Sequence, residues 1–127
     1  MFNVRSAFIL IILTSNLFVA GFTYSQEDPY LPFAQTMPSP VGGMEGIYRH
    51  ITYPELAKKA GISGKVYLLA YINERGGVDD VKIVKGLGAG CDEAAIEGVK
   101  SAKFSAGKNN GAAVKVKLSL AIVFKID

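Results

Sequence analysis

Residues 114–126 read Val-Lys-Val-Lys-Leu-Ser-Leu-Ala-Ile-Val-Phe-Lys-Ile. Val114, Val116, Leu118, Leu120, Ile122, Phe124 and Ile126 alternate with Lys115, Lys117, Ser119, Ala121, Val123 and Lys125. Successive side chains of a strand point to opposite faces, so this period of two predicts a strand with one face on a core and a more polar face outward. At ~3.3 Å per residue such a strand runs ~43 Å. That exceeds the usual strand length, so it is expected to bend or to overhang its neighbours.

The elements it needs as partners lie upstream. Val66, Leu68, Ala70 and Ile72 share one face of a predicted strand over 65–73, and Tyr67, Leu69 and Tyr71 share the other. Both faces are fairly apolar, which implies cover on each. Residues 73–77, Asn-Glu-Arg-Gly-Gly, form a hairpin loop in which Gly76 and Gly77 supply positive φ. Val81 and Ile83 then point inward on a return strand over 78–85. Residues 86–90 are a flexible loop. Cys91, Ala95, Val99 and Ala102 recur at steps of four, four and three, the apolar stripe of a helix ending near Lys103. Asp92 and Glu93 occupy its first turn, where the helix dipole favours acids. A polar loop is expected over 105–112.

Two short helices are predicted before the first strand. Met44, Ile47, Tyr48 and Ile51 recur at helical steps. Tyr53–Pro54 starts a second helix over 54–60, because proline suits the first helical position and the preceding residue avoids helical geometry. Gly61 stops it with a left-handed cap. The order helix–strand–strand–helix–strand defines an α+β fold, a small antiparallel sheet of about three strands with two to three short helices.

The remaining N-terminal residues read differently. Four of the five prolines, Pro29, Pro32, Pro38 and Pro40, fall in residues 26–41. They block regular hydrogen-bonded structure and mark a linker ahead of a domain over 42–127. Residues 1–25 carry Arg5, an apolar stretch interrupted by Thr14, Ser15 and Asn16, and small residues at Thr23 and Ser25. This is the pattern of a secretory signal peptide cleaved after Ser25, with an uncleaved membrane anchor as the alternative. Roughly 100 residues then remain, enough for one domain with one core.

Composition excludes several classes. The net charge is +3 and Lys58–Lys59 is the longest basic run, so nucleic acid is not an expected partner. The lone cysteine, Cys91, has no disulfide or metal-pair partner and is expected to be buried. The single histidine, His50, has no second ligand at zinc spacing. Gly86-Leu-Gly-Ala-Gly90 follows a strand and opens a helix, but the spacing departs from a phosphate loop and Asp92 and Glu93 would repel an anion. Asp79–Asp80 and Glu93–Glu97 fit solvated surfaces. No catalytic, cofactor-binding or metal-ligating residue is assigned, and no enzyme activity is expected.

The chain resembles the C-terminal domain of the TonB energy transducers from about Val41 to Ile126. The matching pieces, in order, are Gly42–Gly43, Tyr53–Pro54, Gly64–Lys65–Val66, Gly86 with Cys91–Asp92–Glu93–Ala94, Gly107–Lys108–Asn109–Asn110–Gly111, and the closing strand. Phe104 and Ala106 stand where family members usually carry an aromatic, often Trp, and Pro. The resemblance implies a periplasmic domain, or one anchored in the inner membrane and facing the periplasm. It also implies a partner, a short TonB-box-like segment of an outer-membrane transporter, taken up as an added strand. The docking edge would be the C-terminal strand, with Lys115, Lys117, Ser119, Ala121, Val123 and Lys125 along it and Tyr53 and Pro54 as the family motif. Inner-membrane motor proteins are implied as further partners if the N-terminus stays anchored. A soluble periplasmic module without energy coupling is the alternative. An exposed edge can also pair with its twin, which allows a homodimer.

Overall fold

The computed structural model describes residues 28–126. The expected signal peptide or anchor over 1–25 lies outside the described residues. The described chain forms three helices and two sheets: α1 (Met44–Tyr48), α2 (Glu55–Lys59), β1 (Gly64–Ile72), β2 (Val78–Lys85), α3 (Cys91–Ser101), β3 (Gly107–Asn109), β4 (Ala112–Val114) and β5 (Val116–Phe124). The main sheet has the order β2-β1-β5 and is antiparallel throughout, as the alternating runs predict. β3 and β4 form a separate two-stranded sheet.

β1 is the centre. It pairs with β5 without a shift from Gly64↔Phe124 to Ile72↔Val116, and with β2 through a ladder broken by two register shifts. Val66, Leu68, Ala70 and Ile72 are buried, as are Ile122 and Phe124 from β5 and Val81 from β2. Fully burying one such Val, Leu or Ile side chain contributes about 1.5–3 kcal/mol. α3 lies over this face with Cys91, Ala95, Val99 and Ala102 buried, the stripe that its spacing predicts. Burial pushes the Cys91 thiol up in pKa, with Asp92 and Glu93 adding to the effect, so the thiol stays protonated and packs as a small hydrophobe.

Three expectations change in the structure. The polar loop over 105–112 is a hairpin, with Gly107↔Val114 and Asn109↔Ala112 pairing around Asn110 and Gly111, both at positive φ. The long terminal strand is two strands that break at Lys115. Val114 therefore belongs to the small sheet, and Val116 begins the main one. Pro54 caps α2 from outside it, with an extended ψ of 138°. A proline with an extended backbone supplies its C=O to the first helical turn, and Lys58 N–H donates to it.

The proline-rich residues 28–41 form no regular strand, but they are paired. Thr36 exchanges both backbone hydrogen bonds with Lys108, Ser105 N–H donates to Ser39 C=O, and Val41 N–H donates to Lys103 C=O. Leu31 makes an isolated parallel bridge to Val116. The segment is a strap, fixed along the hairpin and the start of β5. The prolines limit it to single rungs because each lacks a donor.

Two glycines are required by close approach. Gly76, at φ +84°, turns the β1–β2 hairpin under the chain after α3; its C=O accepts from Phe104 N–H, and a Cβ there would lie 1.8 Å from Phe104 C=O. Gly98 brings α3 against the segment after α1, where a Cβ would lie 2.2 Å from Ile51 Cγ1. Overfilling such a contact typically costs about 1–3 kcal/mol. Gly98→Val is therefore expected to lower the thermal midpoint with the native secondary structure retained below it, read by circular dichroism.

Candidate functional site

Backbone direction shows where the edge of the main sheet is open. In an antiparallel strand, the N–H and C=O of alternate residues point to the same side. Lys117 N–H donates to Leu31 C=O, and Lys115 C=O accepts from Leu31 N–H. Farther along, Val123 N–H donates to the Tyr48 hydroxyl at 2.9 Å. All three groups point away from β1. With no register shift between them, the backbone groups of Ser119 and Ala121 point the same way. Among the described residues, neither Ser119 nor Ala121 has an outward partner. Within β5, the alternation that sets Lys117, Ser119, Ala121 and Val123 on one side-chain face also turns their backbones toward the open edge.

The structure separates these residues by circumstance. Ser119 is exposed and Ala121 half-buried, and together they form the open window of the edge. Lys117 is half-buried and its Nζ lies 2.7 Å from Asp28 Oδ2. Lys115 sits at the break before β5, with its ammonium 5.5 Å from the centre of the Tyr30 ring. Val123 is 42% exposed with its N–H already bonded. Lys125 is exposed beyond the end of β5. Tyr53 and Pro54 stand apart from the window: the Tyr53 ring meets Phe124 edge-on at 5.5 Å, and its hydroxyl donates to Ile62 C=O. The pair joins α2 to the end of β5 by packing.

Beside the window, the open face of the sheet carries a shallow recess lined by Tyr67, Val84, Lys85, Ser119 and Ala121. The small side chains of Ser119 and Ala121 leave the flank of Tyr67 accessible there. The opposite edge, β2, is less suited to accept a strand. Register shifts lie near both of its ends, and Asp79, Asp80, Lys82 and Lys85 are exposed along it. Bulges and charges blunt an edge against pairing.

Three residues shape this edge through contacts that no local sequence signal marks. Tyr48 reaches it from α1. Tyr30 packs edge-on against Tyr71 at 5.1 Å, and its hydroxyl donates to Asp79 Oδ2. Asp28 pairs with Lys117 and accepts from Tyr30 N–H. No group of three or more metal-ligating side chains gathers among the described residues. The Gly86–Gly90 loop amides that could face an anion are engaged by Asp92, whose Oδ1 accepts from Leu87 N–H at 2.8 Å.

An α+β domain with its last strand at one sheet edge and a helix across the other face defines a class of small sheet-edge domains. The chain belongs to the family described as Gram-negative bacterial TonB protein C-terminal, whose pattern matches residues 49–126. It is similar to the solution structure of the Helicobacter pylori TonB C-terminal domain, residues 194–285 of that protein. Identity is 32% and the TM-score 0.51 over 64% of this chain and 86% of that one. A longer form of the same domain, residues 179–285, aligns at 32% identity and a TM-score of 0.47, over 66% of this chain and 78% of that one. Among curated proteins none matches.

The strap contacts set a pH window. The Lys117 ammonium, then Tyr30 N–H, hold the Asp28 carboxyl below its ordinary value. The Tyr30 hydroxyl and the Asn73 amide do the same for Asp79. A depressed carboxyl contributes stability above its unfolded value, about 4, and loses it as the pH falls through the folded one. Tyr30, bonded to Asp79, is pushed up to about 12, and Lys117 is raised by Asp28. Both raised groups contribute below their unfolded values, near 10, and lose the contribution as the pH rises through the folded ones. The cross-peak between the Tyr30 and Tyr71 rings in proton NMR is therefore expected to hold steady between about pH 5 and pH 9 and to weaken below about pH 4.

Proposed function

We propose that this domain acts in the periplasm by taking up an extended segment of an outer-membrane transporter along the free edge of β5, and so supports energy-coupled transport across the outer membrane. The observation that carries this reading is the outward-facing, unpaired backbone at Ser119 and Ala121, on the last strand of a TonB C-terminal domain. An extended peptide satisfies such groups by strand addition; its backbone supplies affinity, and the adjoining side chains supply choice. The recess over Tyr67 would take one apolar side chain of the added strand, and the exposed Lys85 lines it with positive charge. Coupling to an energy source additionally requires attachment to the inner membrane. Among the described residues no helix is long and apolar enough to cross one.

The test is a titration of the full chain with a synthetic eight-residue peptide copied from the N-terminal segment of a transporter of the host bacterium. The Ser119 and Ala121 amides are expected to gain protection from hydrogen exchange. Ser119→Pro removes one outward donor, leaves the ladder to β1 intact, and is tolerated at an edge. Losing one such backbone hydrogen bond corresponds to about 0.5–1.5 kcal/mol, so the dissociation constant is expected to rise about two- to tenfold. Unchanged affinity for the proline variant, with its fold intact, would move the docking site elsewhere.

A further inference from the structure

The edge of β5 is bracketed by the chain itself. At one end Leu31 takes Lys115 C=O and Lys117 N–H, and at the other the Tyr48 hydroxyl takes Val123 N–H. Between the brackets lie only Lys117 C=O and the backbone groups of Ser119 and Ala121. A parallel strand places one residue between each C=O and the N–H two residues on. The window therefore seats two such residues, one between Lys117 and Ser119 and one between Ser119 and Ala121. A strand of usual length, about five or six residues, presents three. The third falls on atoms that a bracket already holds.

The two brackets differ in how firmly they are built. Tyr48 packs against the hydrophobic core. The strap's backbone meets β5 through a single residue, Leu31, which is 37% exposed. Pro29 supplies no N–H for a rung before Leu31, and after Leu31 the chain turns away, so that Gln35 N–H donates to Asn109 Oδ1 on the small hairpin. Asp28 and its partner Lys117 are both solvent-accessible, and exposed pairs of this kind are weak. Tyr30 lies on the open face of the sheet against Tyr71, the next neighbour of Lys117 across the β1–β5 ladder. The matched family pattern begins at residue 49 and includes neither bracket.

We propose that residues 28–31 are an intrachain occupant of the docking edge, which a partner strand of ordinary length must displace. The inference rests on the edge-docking reading and adds a competitor to it. The strap takes the edge in parallel sense and puts an acid on Lys117 and an aromatic on Tyr71. A partner that replaces it meets the same lysine and the same ring. When a competing conformer occupies a site, the apparent dissociation constant rises in inverse proportion to the fraction left open. Loosening the strap should therefore tighten binding. A strap that merely stiffened the domain would give the opposite result, weaker binding once loosened.

The experiment uses the full chain and the same eight-residue transporter peptide. The double variant D28N/Y30A is expected to bind about tenfold more tightly than the native chain. Asp28→Asn alone alters one exposed carboxylate, so the fold is preserved, and is expected to bind about twofold more tightly. On the native chain, saturating peptide should abolish the Tyr30–Tyr71 ring cross-peak. If the strap variants bind equally or more weakly, or if the cross-peak survives saturation while Ser119 and Ala121 are protected, the strap is not a competitor and edge docking stands without it. If the peptide protects Ser119 and Ala121 in neither chain, edge docking itself fails, and the inference with it.

Discussion

A three-stranded sheet has one strand paired on both sides and two that are not. Here β1 takes the central place, and its unbroken ladder to β5 fixes everything else. It turns Ile122 and Phe124 into the core beside Val66 and Leu68. It also turns the alternate backbone groups of β5 outward, since a single register sets both. A slip by one residue would exchange the two side-chain faces and would bring a different set of N–H and C=O groups to the edge. Core and candidate site are thus two sides of the same pairing.

The helices serve that pairing. α3 covers the inner face with residues no larger than valine along its buried stripe, and Gly98 lets it approach the segment after α1. α1 in turn delivers Tyr48 to the far end of the edge. α2, started by Pro54 and braced by Tyr53 against Phe124, secures the last rung of β5. The Phe124 end of β5 is therefore held by packed aromatic side chains. The Lys115 end is held by exposed polar contacts and one backbone bridge. That asymmetry is what makes one bracket firm and the other yielding.

The main sheet, the α3 stripe and the inward faces were legible because each is a short-range periodicity that burial then honours. The outward alternation of Lys117, Ser119, Ala121 and Val123 within β5 was legible for the same reason, since one alternation governs both side chains and backbone. The rest depended on contacts between distant residues. Nothing local at Tyr48 indicates that its hydroxyl meets Val123, 75 positions later. The hairpin over 107–114 lacks the hydrophobic alternation of a strand; it turns on Asn110–Gly111, both at positive φ, and Thr36 pairs with Lys108 on its outer side. The prolines of residues 28–41 correctly excluded a regular strand. They were silent about isolated rungs, for which a single non-proline residue such as Leu31 is enough.

The strap also fixes the order in which the molecule would yield to a pull. Residue 28 leads into the domain through Tyr30 and Leu31, so tension arriving from the N-terminal side reaches those contacts before it reaches α1 or β1. There it meets an exposed ion pair, ring contacts and a one-residue bridge, whereas the β1–β5 ladder is held by nine residue pairs. Contacts stressed one after another open at lower force than contacts stressed together. A stretched chain would thus bare the first rungs of β5 while the sheet behind them stayed closed.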